Sequence, residues 1–348
     1  MGFCRGCCGG WWGPVVALVG QSEWGGGAHD SLRGGCQGGT APKEPTLPPG
    51  NPDVEIALRA VVDEVPILSG KPTKVWRFQG EVLNGPAEAL QTLPDTYLGP
   101  VFRLRKGQRV RVHFSHELSE VSIVHWHGLH VAEVNDGHPR YAIGKGETYT
   151  YDFVVLDRAA TYWFHPHPHG RTGPQVYHGM AGLFLVSDDE EETLGLPSGA
   201  YDVPLVIQDR RFDAQNQLVY LTNGMMDQMV GFLGDRILVN GQPDFTLSVA
   251  TRPYRLRLLN GSNARIYKLA WEDGTPLTVI GTDGGLLEQP VEKAFVTLAS
   301  AQRVELWVDF SRYPVGTKLR LLSQPHGAPG GMRSVSRCSP CRWTVKSG

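Results

Sequence analysis

Two histidine motifs constrain this chain more than any other feature. His125-Trp126-His127-Gly128 and His165-Pro166-His167-Pro168-His169-Gly170 each place histidines two residues apart, directly after a run of β-branched or aromatic residues that reads as a strand. Alternate side chains of a strand share a face. Each motif therefore aims two imidazoles at one point. Four converging neutral imidazoles suit copper, zinc, iron or nickel and suit magnesium or calcium poorly. A lone histidine is most often a packed or surface residue, but two His-x-His motifs on neighbouring strands are hard to explain that way. The candidate metal ligands are His125, His127, His165 and His167.

The surrounding pattern is that of an all-β protein. Val54 to Ala60 alternates with period two, and Val75 to Phe78 begins another extended run. Val101 to Arg105 and Arg109 to Phe114 flank a Lys106-Gly107-Gln108 turn, and Thr148 to Val155 alternates again. Met180 to Val186 closes this block as an apolar strand. Short strands, Gly/Pro turns and little helix predict a β-sandwich or Greek-key barrel. A second block repeats the pattern, with strands expected at Val203 to Ile207, Arg236 to Gly241, Tyr254 to Asn260 and Val304 to Asp309. It holds no histidine, so it reads as a second sandwich without a metal site. The expected organisation is a disordered or processed segment over 1–52, one domain over 53–190, a second over 201–325, and an irregular tail over 326–348.

With 348 residues the chain has room for about two domains plus tails. Its formal net charge of -2 gives no electrostatic case for nucleic acid. No apolar run reaches the roughly 18 residues of a transmembrane helix. Trp11 to Gly20 is a short apolar stretch preceded by one cation, Arg5. It matches an export signal only in part, without a twin-arginine pair or a clear cleavage site. All six cysteines lie near the ends, and none lies between Gln37 and Arg337. This excludes both a disulfide framework and a thiolate metal ligand within the body. Met225, Met226 and Met229 offer soft donors for Cu(I), although three methionines beside a glycine turn more often pack.

The motifs resemble those of the multicopper oxidases, the family of laccases, cuprous oxidases and spore-coat laccases. The resemblance rests on the two histidine motifs, on Thr172-Gly173-Pro174-Gln175, and on Gly179-Met180-Ala181-Gly182-Leu183. It extends to Ile237-Leu238-Val239-Asn240-Gly241 and Arg257-Leu258-Leu259-Asn260-Gly261, and it covers residues from about 53 to about 324. The bacterial three-domain subgroup is similar in its His-Pro-His-x-His-Gly motif. The resemblance implies tandem cupredoxin-like Greek-key sandwiches and a copper enzyme that oxidises phenols, aryl amines or cuprous ions with dioxygen as acceptor. It implies a periplasmic or extracellular location. His125 would serve the type 2 copper, and His127, His165 and His167 the type 3 pair. His169 matches an extra histidine of the subgroup. Asp136 matches the acidic residue that assists proton delivery near the trinuclear centre. Its other reading is a turn aspartate before Gly137.

The chain departs from the family in one respect. Half of the trinuclear histidines and the His-Cys-His motif of the type 1 copper belong to a C-terminal domain in that family. No His-Cys-His occurs here, and His326 is the only histidine beyond His178. The expectation is a type 2 and type 3 half-site without a type 1 site, in a chain lacking the C-terminal copper domain. Two further readings follow: a copper-binding fragment without turnover, and a non-catalytic scaffold of the cell-division type built on the same fold.

Overall fold

The computed structural model describes residues 50–325 and 338–346. The expected N-terminal segment, with Cys4, Cys7, Cys8 and Cys36, lies outside the described residues apart from its last three positions. The described chain is all-β, as expected. Its first nine strands are β1 (Val54–Val65), β2 (Thr73–Asn84), β3 (Leu90–Gln91), β4 (Val101–Arg105), β5 (Arg109–His116), β6 (Val124–His127), β7 (Thr148–Val154), β8 (Ala160–Pro166) and β9 (Gly182–Ser187). They form a four-stranded sheet, β2-β1-β5-β7, and a five-stranded sheet, β3-β4-β9-β8-β6. The two enclose one apolar core, to which Ile56, Phe102, Phe114, Trp126, Tyr151, Phe164 and Phe184 contribute.

The second sandwich follows with β10 (Asp202–Arg210), β11 (Arg236–Val239), β12 (Gln242–Pro243), β13 (Thr246–Ala250), β14 (Pro253–Asn260) and β15 (Tyr267–Trp271). It continues with β16 (Leu277–Thr282), β17 (Gly285–Lys293), β18 (Val296–Leu298), β19 (Arg303–Asp309), β20 (Lys318–Ser323) and β21 (Cys338–Lys346). The sheets are β12-β11-β10-β14-β19-β16-β17 and β13-β21-β20-β15-β18, around a core of residues such as Leu256, Leu269, Leu306 and Leu321. The expected irregular tail is corrected here. Residues 338–346 form a strand, parallel to β13 and antiparallel to β20. Among the described residues, no helix is long and apolar enough to cross a membrane.

A third apolar cluster joins the sandwiches. Val101, Trp163, Leu183 and Leu185 of the first meet Val206, Leu238 and Leu259 of the second. The β8 strand explains this directly. Its even positions turn into the first core through Phe164, and its odd positions turn to the second sandwich through Thr161 and Trp163. A strand covered on both faces reads as a continuous apolar run, and every residue of β8 is buried.

Charge is buried at the same junction. Arg257 donates to Asp202 at 2.6 Å and to Glu305 at 3.0 Å, and Arg255 donates to Glu305 at 2.7 Å and also pairs with Glu191. Burial alone would raise the Glu305 and Asp202 carboxyls, but the adjacent guanidinium groups hold both below the usual carboxylate range.

Candidate metal centre

The histidines converge because of strand register. β6 and β8 pair antiparallel, with His125 opposite His165, Trp126 opposite Phe164, and His127 opposite Trp163. Side-chain alternation then sorts the faces. Trp126 and Phe164 fill the first core, fully buried. His125, His127, Trp163 and His165 occupy the opposite face. The nitrogens of His125, His127 and His165 all lie within 4.8 Å of one another. This is near the roughly 4 Å that separates two nitrogens on opposite sides of one ion. His167 stands next to them, its ring centroid 5.3 Å from that of His125 and 6.1 Å from that of His165. Three of the four expected ligands form one cluster, and the fourth borders it.

Hydrogen bonds to carbonyl oxygens fix the tautomers, because a carbonyl only accepts. His125 Nδ1 donates to the Asp136 carbonyl at 2.7 Å, and His165 Nδ1 donates to the Pro166 carbonyl at 2.9 Å. Each leaves Nε2 as a bare lone pair, the form a metal needs. His127 Nδ1 lies 3.3 Å from His165 Nε2, so in the metal-free molecule it donates there, and a bound cation would replace that proton. His167 Nδ1 is buried with no partner. Burial pushes His165 down to about 3 and His127 down to about 4, with Arg303 adding to the effect at His127. His167 is lowered too, mainly by burial. Burial therefore holds His127, His165 and His167 in the neutral form that a cation needs.

Asp136 joins the site. The short Glu133–Asn135 turn brings it over β6, and Asn135 pins that turn by exchanging hydrogen bonds with the Asp152 backbone at 2.9 Å each way. The carboxylate Oδ1 lies 3.2 Å from His125 Nδ1. Gly137 makes this crossing possible. It has φ +77°, and a Cβ there would sit 2.0 Å from the Val124 carbonyl oxygen.

Among the described residues, no other histidine joins the convergent group. His169 is exposed, His113 bonds Glu55 and Thr150, His116 bonds the Ile143 carbonyl, and His178 packs on Trp76. Met225, Met226 and Met229 are exposed rather than packed, at 74%, 60% and 77%. A cavity of about 530 Å³ beside the sandwich junction is lined by Arg103, Arg105, Arg255 and Arg257, but each of these already has a carboxylate partner.

Two residues beside the cluster escape a reading of the sequence. Trp163 packs, tilted, behind two of the histidines, 4.3 Å from the His165 ring and 5.2 Å from the His127 ring. Arg303 reaches in from the second sandwich. The signal for it is a charge at alternate positions of apolar strands, Arg255, Arg257, Arg303 and Glu305, where a half-exposed strand would turn polar residues outward.

Residues 74–191 match the multicopper oxidase family. The chain is 38% identical over 215 residues to the multicopper oxidase mco of Staphylococcus aureus, covering 62% of this chain and 47% of that protein. It is 39% identical over 218 residues to the cell division protein FtsP of Xenorhabdus nematophila, covering 62% of this chain and 45% of that protein. The crystal structure of a McoA multicopper oxidase variant from Aquifex aeolicus superposes with a TM-score of 0.74 at 39% identity, over 84% of this chain and 62% of that one. The chain thus spans about half the length of the curated relatives it matches. The cupredoxin-like sandwich fold stands on these likenesses and on the strands themselves.

Proposed function

From the premise that this chain belongs to the multicopper oxidase family, we propose that its four clustered histidines are the copper-binding half of an oxygen-reducing centre. One observation carries the reading: nitrogens of His125, His127 and His165 converge within 4.8 Å of one another, with the His167 ring beside them. Such a donor set fits copper in both oxidation states. Copper bound there would supply one-electron redox chemistry toward dioxygen. His125, His127, His165 and His167 would hold it, with His125 serving the type 2 position and the others the type 3 pair. Trp163 and the interface side chains exclude water from one side of the cluster. Asp136, with its side chain 44% exposed, can carry a proton between solvent and the His125 edge of the site.

The full reaction would oxidise phenols, aryl amines or cuprous ions, outside the cytoplasm. The metal-bearing domain would be residues 53–190, and residues 201–325 with the strand 338–346 a companion domain without ligands. Electron entry through a type 1 copper needs a His-Cys-His set that these 348 residues do not contain. Those ligands would come from polypeptide beyond them. Copper binding without turnover is thus the activity assigned to these residues by themselves.

The likeness to a cell division protein, FtsP, motivates a second reading, a non-catalytic scaffold of the same fold. A Cu(II) titration followed by electron paramagnetic resonance separates the two. The copper reading expects tight binding with nitrogen hyperfine structure, abolished in the His125→Ala/His127→Ala double variant. Weak binding that is the same in both proteins refutes the site and leaves the scaffold. Oxygen uptake with a phenolic substrate should stay at the level of free copper; sustained uptake by the loaded chain would contradict the half-site reading.

A further inference from the structure

Among the described residues the second sandwich supplies no member of the histidine cluster, yet it grips the strand that carries His165. Thr161 of β8 is held at both its polar groups. Its hydroxyl donates to Glu305 at 2.7 Å and accepts from Arg257 at 3.3 Å, while its carbonyl accepts from Arg303 Nε at 2.9 Å. Arg303 is itself fixed on every side. Its guanidinium donates to the Ala301 and Asp283 carbonyls, each at 3.1 Å, and pairs with the Asp283 carboxylate at 3.0 Å.

The same guanidinium presses on the first motif. Gly128 directly follows His127, and a Cβ there would lie 3.0 Å from Arg303 Nη2 and 2.9 Å from the Tyr162 ring. With φ +97° as well, this position needs glycine. Arg303 therefore lies against the backbone that follows one ligand and holds the strand that carries another. Its side chain is only 4% exposed, whereas that of Asp283 is 43% exposed. The positive end of the pair faces the protein interior, and the negative end faces water, where solvent screens it.

We propose that Arg303 is a positioning residue for the copper cluster, and that its buried charge favours Cu(I) over Cu(II) at the histidines. The proposal rests on the reading of the cluster as a copper site. Cu(II) carries one more positive charge than Cu(I), so a fixed cation nearby in a medium of low dielectric costs the oxidised form more. The ligand-free sandwich would in this way set the redox balance of a site it does not ligate.

The test is a redox titration of the full copper-loaded chain, following the Cu(II) resonance signal. Arg303→Met should lower the Cu(II)/Cu(I) midpoint, and Arg303→Lys should restore it toward wild type. Asp283→Asn keeps an acceptor oxygen but removes the counter-charge, so it should raise the midpoint. Unshifted midpoints, or shifts of the same sign in Arg303→Met and Asp283→Asn, overturn the proposal. So does a loss of thermal stability in Arg303→Met with the midpoint unchanged, the mark of a purely structural role. If Arg303→Met does not fold, Asp283→Asn decides: a rise supports the proposal, and no change or a fall overturns it. Copper retained by His125→Ala/His127→Ala would place the fault in the site reading itself. Copper lost there, with unshifted midpoints elsewhere, overturns the Arg303 proposal alone.

Discussion

At the scale of single residues, the placement of Asp136 beside His125 depends on Gly137. Its φ is positive, and a Cβ at this position would come within 2.0 Å of the Val124 carbonyl oxygen, which leaves no room for a side chain. Gly137→Ala should push Asp136 off His125 and weaken copper binding at least tenfold in a titration. It should also cost stability, with left-handed strain alone contributing about 1–2 kcal/mol. The imidazoles make a second prediction, in pH. Unfolded histidine titrates near 6.5, whereas His127 and His165 are held at about 4 and about 3. Between those values the unfolded chain binds more protons, so stability rises with pH. The metal-free protein should thus lose stability as pH falls from about 6.5 toward about 4. Melting curves across that range should show a shallower decline in His127→Gln; an identical decline would contradict the assigned burial. The convergence of His125, His127 and His165 was legible from sequence because a period of two needs only strands to have meaning. Asp136 was half legible: the turn before Gly137 was plain, but its crossing over β6 was not. Arg303 left only the trace of a charge in an apolar strand; its grip on Thr161, 142 residues away, was not readable.

At the scale of elements, β8 and β21 show what pattern can and cannot reveal. The run from Thr161 to Phe164 reads as a strand, but that both its faces are covered follows only from the second sandwich. The Arg257–Glu305 pair is buried across β14 and β19, directly opposite in register. Removing one partner of such a pair leaves an uncompensated charge. Glu305→Gln should therefore destabilise the protein by about 3–5 kcal/mol in urea unfolding, and a change within about 0.5 kcal/mol would show that the network is not buried in solution. β21 is invisible in the sequence because Cys338 to Lys346 lacks alternation. Its pairing between β13 and β20 comes from the sheet around it, an instance of context overriding propensity. Deleting 338–346 should expose amides of β13 and β20 to rapid hydrogen exchange while β14 and β19 stay protected. Unchanged protection in β13 and β20 would remove β21 from the sheet.

At the scale of the whole molecule, the two sandwiches divide the labour. The first places the histidine cluster on its outer face, at the β6 and β8 edge, and the second backs that face with apolar side chains and a buried charge network. Fold class was readable because alternation and turn residues repeat through both blocks. The way the blocks meet was not readable, since an interface built of apolar and paired charged side chains leaves no local signature. The central claim is that this chain holds copper at His125, His127, His165 and His167. The most direct measurement is elemental analysis of copper per chain, after copper loading and removal of loosely held metal. Up to about two tightly held copper ions are expected, as four imidazoles can support, together with their loss in His125→Ala/His127→Ala. No retained copper, or copper retained equally by the double variant, would contradict the claim.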